Sequence, residues 1–343
     1  MKVKTKRKLT VIAAILLAVI AAYLVIALVP RPENFGLENP MMKEGDLPIL
    51  IAHGGGNKEF PDNTLEAFYN AYSVDKRVMM ETDVSITKDG VVILSHDTTL
   101  DRKTNVTGAI ADYNYSDLIA EEVNFGYTNP TKSQKLNGER KLFTNPDGET
   151  VTPLDVEYPS GVSARHESVF LATTLEELLT AFPENRINVE IKQEGELGKS
   201  AFRETVRLLE KYDAFDRVVL ASFHGEIYDE FKLWQKEDKL PDTFMYSPGT
   251  SGAATYFILQ TLALDLFFTD GIAALQLPME EYGFSLATKR LINNAHEHNI
   301  AVHYWTINDK DDMKYLIDIG ADGIMTDYPH RLAEVYAEYG TGK

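Results

Sequence analysis

The chain has 343 residues, 44% of them apolar and 25% charged, which is enough for one large folded domain and unlike a disordered chain. With no cysteine, it can have no disulfide, thiolate catalysis or cysteine-bound metal centre. Its formal charge is −18, and five of its 34 basic residues crowd into the first eight positions, so the remainder is more acidic still and lacks the basic footprint that nucleic-acid binding requires.

The first predicted element is apolar. Residues 9–29 form an uncharged run closed by Pro30; as a helix rising about 1.5 Å per residue, it spans roughly 30 Å of hydrocarbon. Lys2, Lys4, Lys6, Arg7 and Lys8 precede it, which predicts that residues 1–8 are cytoplasmic and everything after Pro30 is extracellular. The competing reading is a cleaved signal peptide, but such peptides have a shorter apolar core and small residues at the cut, and Ala27-Leu28-Val29 fits that poorly. The run is therefore read as a single-pass anchor in the cell membrane. Residues 30–47, with several prolines and glycines, read as a linker, residues 48–338 as one domain and 339–343 as a tail.

From Pro48 onward short β-rich runs alternate with amphipathic stretches. Predicted strands end at His53, Asp83, Lys192, Phe223, Ser247, Pro278, Thr306 and Asp327. Helices are predicted over 63–73, 173–182, 199–213, 225–238, 285–298, 309–319 and 329–338, the first with Asn63 and Glu66 as an N-cap pair. Eight such units predict an α/β fold, a (β/α)8 TIM barrel with an insertion after strand 2 and one transmembrane helix before it. A doubly wound open sheet shares the alternation. The barrel is favoured because polar residues collect at the carboxyl ends of the strands, where barrels hold their active sites. After the second strand, Lys88-Asp89-Gly90 turns VVILSHD back as a hairpin partner. Residues 127–168 are polar and aperiodic, and read as an insertion over the barrel mouth that sets access for the leaving group.

Four fragments carry chemistry. They are His53-Gly54-Gly55-Gly56 leading into Pro61-Asp62-Asn63; Glu81-Thr82-Asp83; His96-Asp97; and Glu190-Ile191-Lys192. Residues two apart on a strand share a face, so Glu81 and Asp83 point into one site, as do Glu190 and Lys192. Three inward carboxylates repel one another unless a cation sits among them, and an all-oxygen set suits a hard divalent ion, Mg²⁺ or Ca²⁺. His53 and His96 can then serve as general acid and base, and Lys192 with the glycine amides can receive an anionic oxygen. That combination fits phosphodiester cleavage better than glycoside hydrolysis, which uses two carboxylates and no metal.

HGGG…PDNTLEAF, ETDVSITKDGVVILSHD, LDRKTNVTGAI, VEIK, YWTIN and DGIMTDYP together resemble, in order over residues 48–338, the motifs of the glycerophosphodiester phosphodiesterase family. The resemblance implies hydrolysis of glycerophosphodiesters to glycerol 3-phosphate and an alcohol with a divalent cation. It implies His53 and His96 as the acid/base pair, Glu81, Asp83 and Glu190 as metal ligands, and Lys192 near the phosphate. It further implies attack on phosphorus by the glycerol 2-hydroxyl. The usual motif has Arg where this chain has Gly54 and Glu where it has Asp62. Arg102, Lys103 or Arg165 are candidates to replace the lost cation, and Asp62 is a possible further ligand. Trp305 is expected as a wall for the glycerol and His303 as a packed histidine. His166, His296, His298 and His330 are expected at the surface, while His224, at a strand end, is weighed against a structural role. Expected substrates are small phosphodiesters or lysolipids, with the acidic body leaning against polyanions and polyglycerophosphate. A lysophospholipase D-type activity and a non-catalytic module binding phosphoglycerol groups are the alternatives.

Overall fold

The computed structural model describes residues 2–127 and 141–340. It opens with helix α1 (Lys2–Leu28). Within it, Lys8–Ile26 has a mean hydropathy of 2.9 and none of it is buried, so it is long and apolar enough for a membrane span or a signal sequence.

Eight parallel strands follow: β1 (Ile49–Ala52), β2 (Met79–Ile86), β4 (Ile187–Ile191), β5 (Val218–Ala221), β6 (Met245–Tyr246), β7 (Ala274–Leu277), β10 (Ala301–Tyr304) and β11 (Gly323–Thr326). They pair in the order β6-β5-β4-β2-β1-β11-β10-β7. The seam between the end strands is bridged by Ala273 N donating to Tyr246 O at 3.1 Å. This is the nearly closed barrel that the sequence predicts, with every strand near its predicted place. β3 (Val92–Leu94) pairs antiparallel with β2 as the hairpin partner. A second hairpin, β8 (Glu280–Glu281) and β9 (Phe284–Ser285), follows β7.

One helix follows each barrel strand: α2 (Leu65–Val74), α4 (Leu175–Ala181), α5 (Gly195–Lys211), α6 (Gly225–Lys236), α7 (Thr250–Thr261), α8 (Lys289–Glu297), α9 (Lys310–Ile319) and α10 (Pro329–Gly340), with a single turn, α3 (Tyr115–Leu118), in the long connection after β3. Side chains of Thr64, Thr174, Thr288 and Asp309 cap their helices by accepting amides of the first turn. The cap of α2 is thus Thr64 and not Asn63, whose φ of +59° puts it outside the helix. α7, absent from the predicted helices, has no charged face to give it an amphipathic signature.

Two segments differ from expectation. Part of the predicted linker forms the barrel floor: Phe35 and Met41 are buried against Ile51, Met79, Val219 and Met325. Asn39 donates to the carbonyls of Ala273 (2.7 Å) and Asn299 (2.8 Å), and the buried His303 ring donates from Nε2 to Met41 O at 2.8 Å. In the predicted insertion, residues 128–140 lie outside the described residues. Its described part packs on α2 and α4, Tyr158 against Tyr69 and Arg165 between Glu66 and Glu177, and supplies no residue to the lining of the cavity at the barrel mouth. His298, expected at the surface, is fully buried and bonded to Asp265 and Asn34.

Replacing Asn39 by Ala takes a donor from the half-buried Asn299 carbonyl and one of two donors, the other being Ala301 N, from the buried Ala273 carbonyl, so Asn39→Ala should lower stability by ~1–3 kcal/mol in urea unfolding; an unchanged midpoint would mean that the floor segment is not part of the cooperative unit.

Candidate active site

Strand β2 delivers Glu81 and Asp83, two residues apart, to the carboxyl end of the barrel, and the parallel register sets Glu190 of β4 directly beside Asp83. Oxygens of Glu81, Asp83 and Glu190 lie within 4.8 Å of one another. Lys192 reaches back into this cluster, its Nζ 2.7 Å from Glu190 Oε1 and 3.0 Å from Asp83 Oδ1. Burial and then the Asp83 charge push Glu81 up from its ordinary value to about 8, against the pull of His53. Lys192 is shifted upward despite burial, because both carboxylates favour its ammonium form. One lysine thus leaves the site short of positive charge. A donor set made only of carboxylate oxygen suits a hard divalent cation, so these residues fit such an ion.

His53 follows β1 at the first residue of a short turn, and its Nδ1 donates to Asp327 Oδ1 at 2.6 Å. That bond leaves Nε2 directed at the cluster, 4.0 Å from Glu81 Oε2. Asp327 is itself held by Asn308, which donates from Nδ2 to Oδ2 at 2.8 Å. Burial pulls the His53 pKa down, but the Asp327 bond and the Glu81 charge more than offset it, raising it to about 9. His96, exposed at the end of the hairpin, donates from Nδ1 to Asp97 Oδ1 at 2.9 Å. Asp97 also accepts from Arg102 at 2.5 Å. Although burial opposes it, these two bonds hold Asp97 down at about 2. Each imidazole is therefore oriented by a carboxylate on Nδ1, which leaves its other nitrogen for chemistry.

Gly54, expected to offer its amide to phosphate, gives it instead to Glu81 Oε2 at 2.8 Å. Its φ is +54° and a Cβ there would lie 2.9 Å from Asp62 Cβ, so neither Arg nor any other side chain fits this turn as it stands. Asp62 is engaged by Lys103 Nζ at 2.5 Å and by Arg102 at 3.8 Å, and is held ionised well below its usual range although burial opposes this. Lys103 also contacts the Asp62 carbonyl. Asp62, Arg102 and Lys103 thus form one ion cluster beside the site, and Asp62 is committed to cations of the chain itself. Arg165 lies elsewhere, bonded to Glu66, Glu177, Thr173 and two carbonyls. It cannot replace the missing arginine.

Above the cluster opens a cavity of about 650 Å³ that includes His53, His96, Glu81, Glu190, Lys192 and Trp305. The Trp305 ring meets Phe223 edge-on at 6.3 Å across this space. Further round, the wall is apolar, with Phe257, Phe284 and Leu286. His224 lines none of it; its Nε2 donates to Lys192 O at 2.9 Å, a structural role.

Two positioning residues escaped the sequence reading. Asn63 donates to Asp83 Oδ2 at 3.0 Å and accepts from Thr82 Oγ1 and Asp83 N, so it orients a cluster carboxylate. Its left-handed backbone, which Asn tolerates, was masked by a cap-like pattern with Glu66. Asp327 had a visible signal, its place at the end of the last strand, but nothing in the sequence pairs it with His53.

A profile of the glycerophosphoryl diester phosphodiesterase family matches residues 53–331. A glycerophosphodiester phosphodiesterase of Bacillus altitudinis is 24% identical over 293 residues, covering 84% of this chain and 98% of its own. A lysophospholipase D of Homo sapiens is 26% identical over 309 residues, covering 85% and 87%. Among solved structures, an Oleispira antarctica phosphodiesterase in complex with the product sn-glycerol-3-phosphate superposes with a TM-score of 0.58 at 19% identity, covering 85% of this chain and 97% of that one, a likeness of fold.

Glu81 and His53 both bind protons more tightly folded than unfolded, so each contributes stability at low pH that is lost as pH rises, through about 8 for Glu81 and about 9 for His53. Melting temperature in EDTA should therefore fall between pH 5 and 9, and saturating Mg²⁺ or Ca²⁺ should flatten the fall. A flat profile in EDTA would contradict the assigned crowding.

Proposed function

Because the chain belongs to the glycerophosphoryl diester phosphodiesterase family, and is an enzyme of that class, we propose that it hydrolyses glycerophosphodiesters to glycerol 3-phosphate and an alcohol by paired histidine catalysis beside a divalent cation, Mg²⁺ or Ca²⁺. The observation that carries this reading is the convergence of Glu81, Asp83 and Glu190 beside two histidines, each with its Nδ1 on a carboxylate.

In this mechanism Glu81, Asp83 and Glu190 hold the cation, which when bound supplies positive charge to the phosphoryl oxygens. Lys192 binds a non-bridging phosphate oxygen, exchanging part of its contact with Glu190 and Asp83 for the substrate anion. The oriented imidazoles divide the proton work: one accepts the proton of the attacking glycerol 2-hydroxyl and the other delivers one to the leaving alcohol oxygen; water, its proton taken by the second imidazole, then adds to phosphorus and the bond to the 2-oxygen breaks as the first returns its proton, giving glycerol 3-phosphate. Asp327 stabilises the imidazolium form of His53 and fixes its tautomer, while Asn63 keeps Asp83 aimed at the cluster. Trp305 is the wall against which the glycerol carbons rest, and Arg102 serves by holding Asp97 for His96. Gly54 acts through Glu81 and not on phosphate.

A second reading is lysophospholipase D-type action on single-chain lipids. Relatives carrying that name align along most of this chain, and the cavity wall formed by Phe257, Phe284 and Leu286 suits an acyl chain. In the same reading α1 is an uncleaved single-pass anchor, with residues 1–8 cytoplasmic and the barrel extracellular.

Glycerol 3-phosphate release from glycerophosphocholine should require added Mg²⁺ or Ca²⁺ and vanish in EDTA. His53→Ala and His96→Ala should each cost about 10²–10⁴ in kcat. Release that persists in EDTA, or a His53→Ala variant of undiminished kcat, would overturn the mechanism. In Asp327→Asn, kcat should fall while KM stays within about threefold, since the residue touches His53 and not substrate. A change confined to KM would place Asp327 in substrate binding instead.

A further inference from the structure

Among the barrel helices described, α7 alone carries no charged residue. Residues 243–264 contain no charged side chain, and α7 lies within them. Its inner side is packed, Tyr256 meeting Phe268 at 5.1 Å and His298 at 6.1 Å. Its outer side exposes Ile258 (56%) and Leu262 (50%), and the turn that follows exposes Phe267 (58%). Past the middle of α7, the Phe257 ring packs on Phe284 at 6.0 Å and joins the helix to the β8–β9 hairpin, whose tip carries Tyr282, 90% exposed. At the carboxyl end of α7, Tyr23 of α1 donates to Leu262 O at 2.8 Å. Arg31 ties the same place down, with Nε 2.7 Å and Nη2 3.1 Å from the Asp265 carboxylate and Nη1 on the carbonyls of Ile26 and Val29 at the end of α1.

We propose that this uncharged strip, from the exit of α1 along α7 to the Tyr282-Gly283-Phe284 tip, rests on the bilayer that α1 enters and holds the barrel mouth at the lipid surface. The inference builds on the anchor reading of α1. Continuity identifies the occupant: one end of the strip abuts a 19-residue span of mean hydropathy 2.9, and the other forms the apolar wall of the catalytic cavity. Charge agrees, since the barrel of a chain whose formal charge is −18 even with its basic amino terminus counted is repelled by anionic lipid everywhere except where its acids are absent. Glu280 and Glu281 of the same hairpin are exposed, so contact is confined to the hairpin tip and the α7 face and weakens as anionic lipid increases. A single-chain lipid with its phosphodiester at Lys192 would then leave its tail along Phe257 and Phe284 toward the bilayer.

The absence of native cysteine makes the test direct. Full-length chain carrying one environment-sensitive fluorophore, at Ile258→Cys, Tyr282→Cys, Thr180→Cys of α4 or Ile15→Cys of α1, is reconstituted one copy per phosphatidylcholine nanodisc. Labels at 258 and 282 should show blue-shifted emission and quenching by brominated acyl chains, while the label at 180 stays water-like. If 258 and 282 match 180 while 15 is in lipid, the anchor stands and the docking strip is overturned. If 15, 258 and 282 are all water-like, both fail. A shift at 258 that appears only with two copies per disc would reassign the strip to a contact between chains. Substituting Ile258 and Phe267, which lie outside the cavity, with Glu should abolish the shift at 282 and leave turnover of soluble glycerophosphocholine unchanged; a shift that survives both substitutions would overturn a role for α7.

Discussion

The rest of the site depends on three carboxylates forced together at the ends of two adjacent parallel strands. Glu81 and Asp83 share a face of β2, and strand register sets Glu190 against Asp83. Nothing in a barrel requires this arrangement, and electrostatics opposes it. Lys192 offsets part of the repulsion, the Gly54 amide another part, and Glu81 is still displaced toward its protonated form. Such a centre is stable only because its neighbours are already committed: Asn63 to Asp83, Asp327 to His53, Asn308 to Asp327. The polar groups that build the centre are bonded to one another before any substrate arrives, which is how preorganisation is realised in side chains.

The departure at Gly54 also makes sense in these terms. The tight turn after His53 brings the amide onto Glu81 and places Asp62 where a side chain at position 54 would stand. Positive charge is nevertheless present nearby, as Arg102 and Lys103, but both are used to balance Asp62 and Asp97. In place of a side-chain cation, position 54 offers an amide bonded to Glu81, and among the described residues Lys192 is the one lysine or arginine that lines the cavity.

The architecture was legible because alternation and strand ends are local signals. Each barrel strand, the β3 hairpin and the polar residues at the mouth could be read from short windows. What could not be read depends on contacts distant in sequence. The partnership of His53 with Asp327 joins the first and last strands, 274 positions apart. Asn63 looked like a cap because its spacing to Glu66 imitates one, whereas Glu66 serves Arg165. α7 escaped because helix periodicity is detected by contrast between two faces, and this helix has none. Phe35, Asn39 and Met41 looked like linker because floor contacts come from residues scattered around the whole barrel.

That floor changes what the stretch between α1 and β1 is mechanically. A flexible tether would let the barrel tumble and would let a protease release it whole. Here the residues after Arg31 are keystones: Asn34 bonds to the carbonyls of Phe268 and Asp270, and Met41 is wholly enclosed. A cut between residues 33 and 41 separates part of the floor from the barrel that it closes, so this stretch cannot be severed without opening the folded unit itself.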